Sequence, residues 1–290
     1  MNIPQVDLNR STLHDNKRNK EIFRRARKQR TEIMLFDTHA HLNVEQFAED
    51  EAEVIQRAKD HGVSRIAVVG FDHETIAKAL EMSKTYEDIY PIIGWHPTEA
   101  GSYSDEVEEK LIHLIQSENV VAMGEMGLDY HWMEDPKPVQ IEVFRRQIRV
   151  AKELKIPITV HNRESTEDVY QVLKEEHIED IGGIMHSFNL TPEWQDRFLD
   201  LGMHISFSGV LTFKNAPEVK ESAKVVPLDK VLIETDSPYL SPTPYRGKRN
   251  ESSYVRFVAE ELATLRDMPL EEIAKITTQN ANKIFNLTED

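Results

Sequence analysis

Residues 34–42 read MLFDTHAHL, with His39 and His41 one residue apart behind an apolar run and Asp37. In extended backbone, residues i and i+2 face the same way. Two neutral imidazoles aimed at one point suit a metal ion, although an exposed pair on a turn has the same spacing. Further along, other apolar runs end on His96, Glu125, His161, His186 and Asp236. Each has a plain explanation on its own. His96 before Pro97 shapes a turn, a lone His161 or His186 is a hydrogen-bonded half-buried histidine, and Glu234 and Asp236 pair with nearby Lys or Arg. Together they are harder to dismiss, because burying several imidazoles and carboxylates without counter-charge is costly. Divalent cations remove that cost.

Nitrogen and oxygen ligands without sulfur suit Mg, Mn, Zn, Co, Ni or Fe. The six ligand candidates are His39, His41, Glu125, His161, His186 and Asp236, more than one tetrahedral ion needs. Two ions roughly 3.5–4 Å apart, bridged by a carboxylate, would use them all. Such a pair lowers the pKa of water towards neutrality, giving a nucleophile, and stabilises the oxygens of an in-line phosphoryl displacement.

Cations stand near the same strand ends. Arg163 follows His161 in HNRES, and the loop SPTPYRGKRNESS holds Arg246, Lys248 and Arg249. Arg163, Arg246, Arg249 and His96 are the candidates for binding substrate phosphate; Lys248 alone reads as a solvated basic turn. Trp95, Tyr130, Trp132 and Tyr239 also flank strand ends, where they either stack on bases or pack over the rim.

The elements that position these residues follow from eight short apolar runs. They are MLFDTH (34–39), RIAVVG (65–70), YPIIGWH (90–96), VVAMGE (120–125), IPITVH (156–161), GGIMHS (182–187), HISFSG (204–209) and VLIETD (231–236). Several are apolar on both faces, as buried parallel strands are. Their starts recur roughly every 28 residues, near the ~30 of a βαβ unit. Helical patterns fill the gaps. Residues 44–62 place Phe47, Glu51, Val54, Ile55 and Ala58 at helical spacing, with Gly62 as the stop. Residues 139–154 align Ile141, Phe144, Ile148 and Ala151, and residues 253–265 align Tyr254, Phe257, Val258, Leu262 and Leu265. The short gap between the sixth and seventh strands predicts a brief helix. Eight such units predict an α/β fold, a (β/α)8 TIM-type barrel whose site lies at the C-terminal strand ends. A doubly wound sheet is the runner-up, but no G-x-G-x-x-G follows the first strand.

The 290-residue chain is 39% hydrophobic, enough for one large domain with a real core. It has no cysteine, which excludes disulfides, thiolate metal sites and a cysteine nucleophile, and fits a cytoplasmic setting. No apolar run is long enough to span a bilayer, and no signal-peptide core follows the N-terminus. The net charge of −16 is the wrong sign for broad attraction to nucleic acid, although bound cations supply local positive charge. Residues 1–33 differ, with nine Lys or Arg against four acids. They are expected to be a basic, flexible N-terminal extension to a single domain over 34–290.

In their order, FDTHAHL, GEMGLDY, PITVHNRES, IMHSFN, HISFSGVLTFKNA, VLIETDSPYLSPTPYRGKRNES and TTQNANKIFNL resemble the TatD-type metal-dependent deoxyribonucleases, a branch of the metal-dependent hydrolase barrels. The resemblance spans essentially all of residues 34–287. FDTHAH is shared with many amidohydrolase-like enzymes; GEMGLDY with ETDSPYL and RGKRN is far more specific. It implies a distorted barrel, a divalent-metal centre and hydrolysis of DNA phosphodiesters, with 3′-5′ exonuclease action as one form of it. It also implies that His39, His41, Glu125, His161, His186 and Asp236 are ligands. Glu125 would be the bridging carboxylate, and Asp236 a ligand that also accepts the water proton. The chain departs from the family in reading SFNL after His186 and in placing Ser252 after RGKRNE, neither of which removes a ligand. The expected partner is single-stranded DNA, met by a monomer with no membrane association. Another ester or amide substrate, for an amidohydrolase, a lactonase or an aminoacyl-tRNA deacylase, is the alternative on the same metal centre. A metal-binding scaffold without catalysis is a third reading.

Overall fold

Each of the eight apolar runs forms a strand, and all eight join one parallel sheet in chain order. The computed structural model describes residues 33–288. The strands are β1 (Leu35–Ala40), β2 (Val63–Gly70), β3 (Ile89–Ile93), β4 (Ala122–Asp129), β5 (Ile158–Arg163), β6 (Gly183–Met185), β7 (Met203–Phe207) and β8 (Val231–Ile233). The helices around them are α1 (Glu51–Asp60), α2 (His73–Thr85), α3 (Asp105–Ser117), α4 (Lys137–Leu154), α5 (Thr166–Glu175), α6 (Pro192–Asp200), α7 (Pro217–Val225), α8 (Val255–Arg266) and α9 (Leu270–Ile284). This is the predicted (β/α)8 barrel. The basic extension expected at 1–33 lies outside the described residues, save Ile33, which is buried.

The barrel is distorted where it closes. β8 and β1 share no ladder, only a parallel bridge between Ala40 and Ser237. The Asp236 amide donates to the His39 carbonyl (2.9 Å), and the His41 amide to the Ser237 carbonyl (2.7 Å). Side chains reinforce this seam. The Asp37 carboxylate accepts from the Thr235 amide (2.8 Å) and hydroxyl (2.7 Å), while the Thr38 hydroxyl donates to the Ile233 carbonyl (3.0 Å). α9 crosses the other end of the seam, with Thr278 donating to the Met34 carbonyl and Asn280 to that of Val231.

One helix differs from its expected extent. Residues 44–62 do not form a single helix but a 3-10 turn at Glu45–Phe47 followed by α1. Asp50, with φ −138°, breaks the run. The break lets Phe47 bury fully while the Asp50 carboxylate receives Arg57 and Arg249. Gly62 ends the segment with φ 87°, a conformation that suits glycine. α6 is brief, as its short gap predicts.

α4 contributes more than its apolar stripe. Phe144, Ile148 and Ala151 are buried as expected, and Ile141 is half-buried. Two turns apart on the same helix, Gln140 and Gln147 are also buried. Gln140 exchanges two hydrogen bonds with the Asp129 backbone (2.9 and 3.0 Å), and Gln147 exchanges two with that of Trp95 (2.8 and 3.0 Å). One helix thus fixes the backbone that leaves two adjacent strands.

β7 carries a buried histidine, His204. Burial, then the nearby Lys230 and Lys283, push its imidazole down to about 4. Below pH ~6.5 the unfolded chain binds a proton that the folded one refuses, so this stabilisation is full above ~6.5 and lost as pH falls towards 4. Between pH 7 and 5 the protein should therefore lose on the order of 2 kcal/mol more than His204→Phe. Urea unfolding at both pH values measures this; equal losses would contradict it.

Candidate metal centre

His39 is the penultimate residue of β1, and His41 follows directly after the strand. Glu125 lies within β4, at a slip of the β4–β5 register between Met123 and Met126. Glycines make that slip possible. A Cβ at Gly127, where φ is +144°, would lie 2.0 Å from the His161 carbonyl oxygen. The strands can approach only without a side chain there, and the irregular backbone turns Glu125 into the mouth. His161 belongs to β5 and His186 follows β6 directly. Asp236 lies just past β8 with φ 56°, a left-handed conformation that aspartate tolerates.

The four histidines among the predicted ligands converge on Glu125. Its Oε2 lies 3.3 Å from His39 Nε2 and 3.6 Å from His41 Nε2. Its Oε1 lies 2.7 Å from His161 Nδ1 and 2.8 Å from His186 Nε2. Asp236 Oδ1 completes the first half, 3.4 Å from His41 Nε2 and 3.8 Å from His39 Nε2. His96 joins the second half, its Nε2 3.8 Å from Glu125 Oε1. The cluster therefore has two lobes, one on each carboxylate oxygen.

Hydrogen bonds at the back of three rings set which nitrogen carries the proton. His41 Nδ1 meets the Val69 carbonyl (3.3 Å), His186 Nδ1 meets Glu234 Oε1 (3.2 Å), and His161 Nε2 meets Asp129 Oδ2 (2.9 Å). These oxygens accept, so a neutral ring keeps its hydrogen on the facing nitrogen and leaves the other free for a cation beside Glu125, whereas a protonated ring donates from that nitrogen to Glu125 itself. His39 Nδ1 is buried without a partner, and its ring stacks on His186 at 4.0 Å. His96 is set the opposite way. Its Nδ1 accepts from the Thr98 amide (3.2 Å), so the neutral ring carries its hydrogen on Nε2, facing the cluster. Burial, then neighbouring His161, push that ring down to about 3.

The electrostatics agree with a cation site. Burial alone would raise the Glu125 carboxyl, but His186, His39 and the hydrogen bond from His161 hold it well below the usual range. Burial likewise opposes ionisation of Asp129, yet hydrogen bonds from His161 and the Trp132 and His131 amides hold it at about 2. Carboxylates kept ionised, with lone pairs converging from nitrogen and oxygen only, fit divalent cations. Among the described residues, three groups have ligand atoms mutually within 4.8 Å: His39–His41–Asp236, His39–Glu125–His186 and His96–Glu125–His161.

A profile of the family described as "TatD related DNase" matches residues 36–286. The chain belongs to the TatD-related family. It is 54% identical over 254 residues to a metal-dependent hydrolase, YabD, of Bacillus subtilis (strain 168), covering 88% of this chain and all of that one. It is 30% identical over 260 residues to the 3′-5′ ssDNA/RNA exonuclease TatD of a Rahnella species, covering 88% and 99%. The crystal structure of YJJV, a TatD homolog from Escherichia coli K12, superposes with a TM-score of 0.81 at 28% identity, covering 88% and 98%. The chain is thus a metal-dependent hydrolase of this family.

The predicted phosphate-binding residues of this TatD-related chain diverge. Arg163 stands exposed at the end of β5, its guanidinium 5.8 Å from the Trp132 ring. Arg246 is exposed and lies 3.5 Å over the Phe213 ring. Arg249 is engaged elsewhere. It grips both Asp50 carboxylate oxygens (2.9 and 2.6 Å) and lies over Phe47. RGKRN reads as one basic patch, but the break before α1 gives Arg249 a bidentate acid partner. Asn250 and Glu251 fasten the same loop, Asn250 to the Thr235 and Tyr239 carbonyls and Glu251 to Arg57 (2.7 Å).

Two residues behind the ligands escaped the sequence reading. Asp129 lies within the quoted GEMGLDY, where an acid four residues past Glu125 was the available signal. Glu234, whose plain explanation was a pairing with Lys or Arg, is wholly buried and receives His186 and the Ser187 amide (2.7 Å).

Gly127→Ala tests how Glu125 is held. The added methyl should force β4 and β5 apart, costing about 1–3 kcal/mol and lowering metal content below that of the wild type. Elemental analysis beside thermal melting reads both; wild-type metal content would contradict the argument.

Proposed function

We propose that this TatD-related protein is a two-cation phosphodiesterase that hydrolyses single-stranded DNA as a monomer. The observation that carries the reading is the division of the ligand cluster between the two oxygens of Glu125. His39, His41, Asp236 and Glu125 Oε2 would hold one cation; His161, His186 and Glu125 Oε1 would hold the other. The cations supply charge neutralisation and a water of lowered pKa. The rest is done by the chain. Asp236 reaches the first lobe through a single strained residue and serves as the acceptor of the water proton. His96 Nε2–H donates to a phosphate oxygen from the second lobe. Arg163 and Arg246, both exposed on the rim, hold flanking phosphates. The exonuclease name of the Rahnella relative, with the absence among the described residues of any helix long and apolar enough to cross a membrane, accords with this reading.

Chelated protein re-supplied with Mg, Mn, Co or Zn should cleave 3′- and 5′-labelled single strands, the two labels giving direction. Glu125→Ala and His161→Ala should lose more than the roughly 10- to 100-fold that removal of an outer-shell partner costs. His96→Ala should lose roughly 10²–10³ in kcat, as loss of one oxyanion donor does, with bound metal unchanged; a lost cation would instead make His96 a ligand. Full activity in pure Glu125→Ala, or turnover of esters and lactones with no phosphodiester cleavage, would overturn the assignment.

A further inference from the structure

Four aromatic side chains flank the strand ends, and they separate into two packed and two open. Trp95 is buried, its indole N–H donating to the Glu99 carbonyl (2.8 Å). Tyr130 donates its hydroxyl to Asp168 (2.7 Å), with the Lys137 ammonium 3.9 Å from its ring. By contrast Trp132 is 60% exposed and Tyr239 is 51% exposed. Leaving that much ring surface in water is unfavourable unless something covers it. The two open rings follow β4 and β8, strands four places apart in an eight-stranded barrel, so the segments that carry them leave the barrel on opposite sides.

Each open ring is tied to one lobe of the cluster. The Trp132 amide donates to Asp129 Oδ1 (2.9 Å), whose other oxygen receives His161. His131, beside it, meets Glu164 at 2.8 Å and holds the loop against the end of β5. The Tyr239 amide donates to the Asp236 carbonyl (2.9 Å), and its ring stands edge-on to His41 at 6.2 Å. Arg163 lies beside the Trp132 ring, so a cation and a stacking face occur together.

We propose that Trp132 and Tyr239 are two base-stacking platforms, which hold the nucleobases on either side of the scissile phosphate of an unpaired nucleic-acid strand. The proposal rests on the phosphodiesterase reading of the metal centre. An aromatic face accepts any base, so recognition is tolerant of sequence. A base enclosed in a duplex has both faces covered, so two platforms astride one phosphate select single strands. Arg163 then meets the phosphate next to the base on Trp132. In a chain of net charge −16, such local contacts replace general electrostatic attraction.

The test is binding of a hydrolysis-resistant phosphorothioate oligothymidylate to the full-length, metal-loaded protein, followed by tryptophan fluorescence and by competition with a labelled strand. A second oligomer carries abasic residues in place of the thymidines. Trp132→Ala and Tyr239→Ala should each weaken binding of the thymidylate strand about tenfold. The penalty should vanish on the abasic strand, and quenching should be absent in Trp132→Ala. A general loss of structure would penalise both oligomers alike. Wild-type affinity of both variants for the thymidylate strand, or equal penalties on the two oligomers, would overturn the proposal. Base-dependent binding without cleavage of ordinary DNA would sink the phosphodiesterase reading and leave the platforms standing. Cleavage without base-dependent binding would do the reverse.

Discussion

A single buried carboxylate, Glu125, sets the terms for the mouth of this barrel. Left unpaired in that position it would cost several kcal/mol or take up a proton. Imidazoles from three strand ends instead surround it, two facing one oxygen and two the other. The demand reaches back into the backbone. β4 must slip register at Glu125, and Gly127 must lack a side chain so that β5 can bring His161 alongside. Burial, charge and strand pairing are satisfied by the same arrangement, so none can change alone.

The seam between β8 and β1 is the second constraint. Candidate ligands from the two ends of the barrel, His39 and His41 against Asp236, meet across it, yet the two strands share almost no ladder. Hydrogen bonds from Thr235 to Asp37 and from Thr38 to Ile233 take the place of that ladder. An irregular seam leaves backbone free to turn side chains inward, which a regular ladder would hold in alternation. The loop beyond β8 needs its own fastening, and Asn250, Glu251 and Arg249 supply it.

Much of this was legible in the sequence because polar residues interrupt apolar runs at their C-terminal ends. Buried strands cannot hide a histidine or a glutamate cheaply, so His161, His186 and Glu125 stood out, and the barrel followed from the spacing of the runs. What was not legible depends on partners distant in sequence. Arg249 reads as a phosphate ligand until Asp50, about two hundred residues earlier, is seen to hold it. Glu234 has a plain explanation as a partner of Lys or Arg until β6 is seen to bring His186 to it. The break at Asp50 is invisible to helical periodicity, since Phe47 and Val54 keep the right spacing on either side. The direction in which His41, His161 and His186 hold their protons is likewise set by a carbonyl and two carboxylates that no local pattern reveals.

Anomalous diffraction from metal-loaded crystals tests most directly whether Glu125 divides the centre between two cations. Two peaks roughly 3.5–4 Å apart, one near each oxygen of Glu125, with His96 outside both coordination spheres, is the predicted result. A single peak, or two peaks with Glu125 bound to only one, would contradict it.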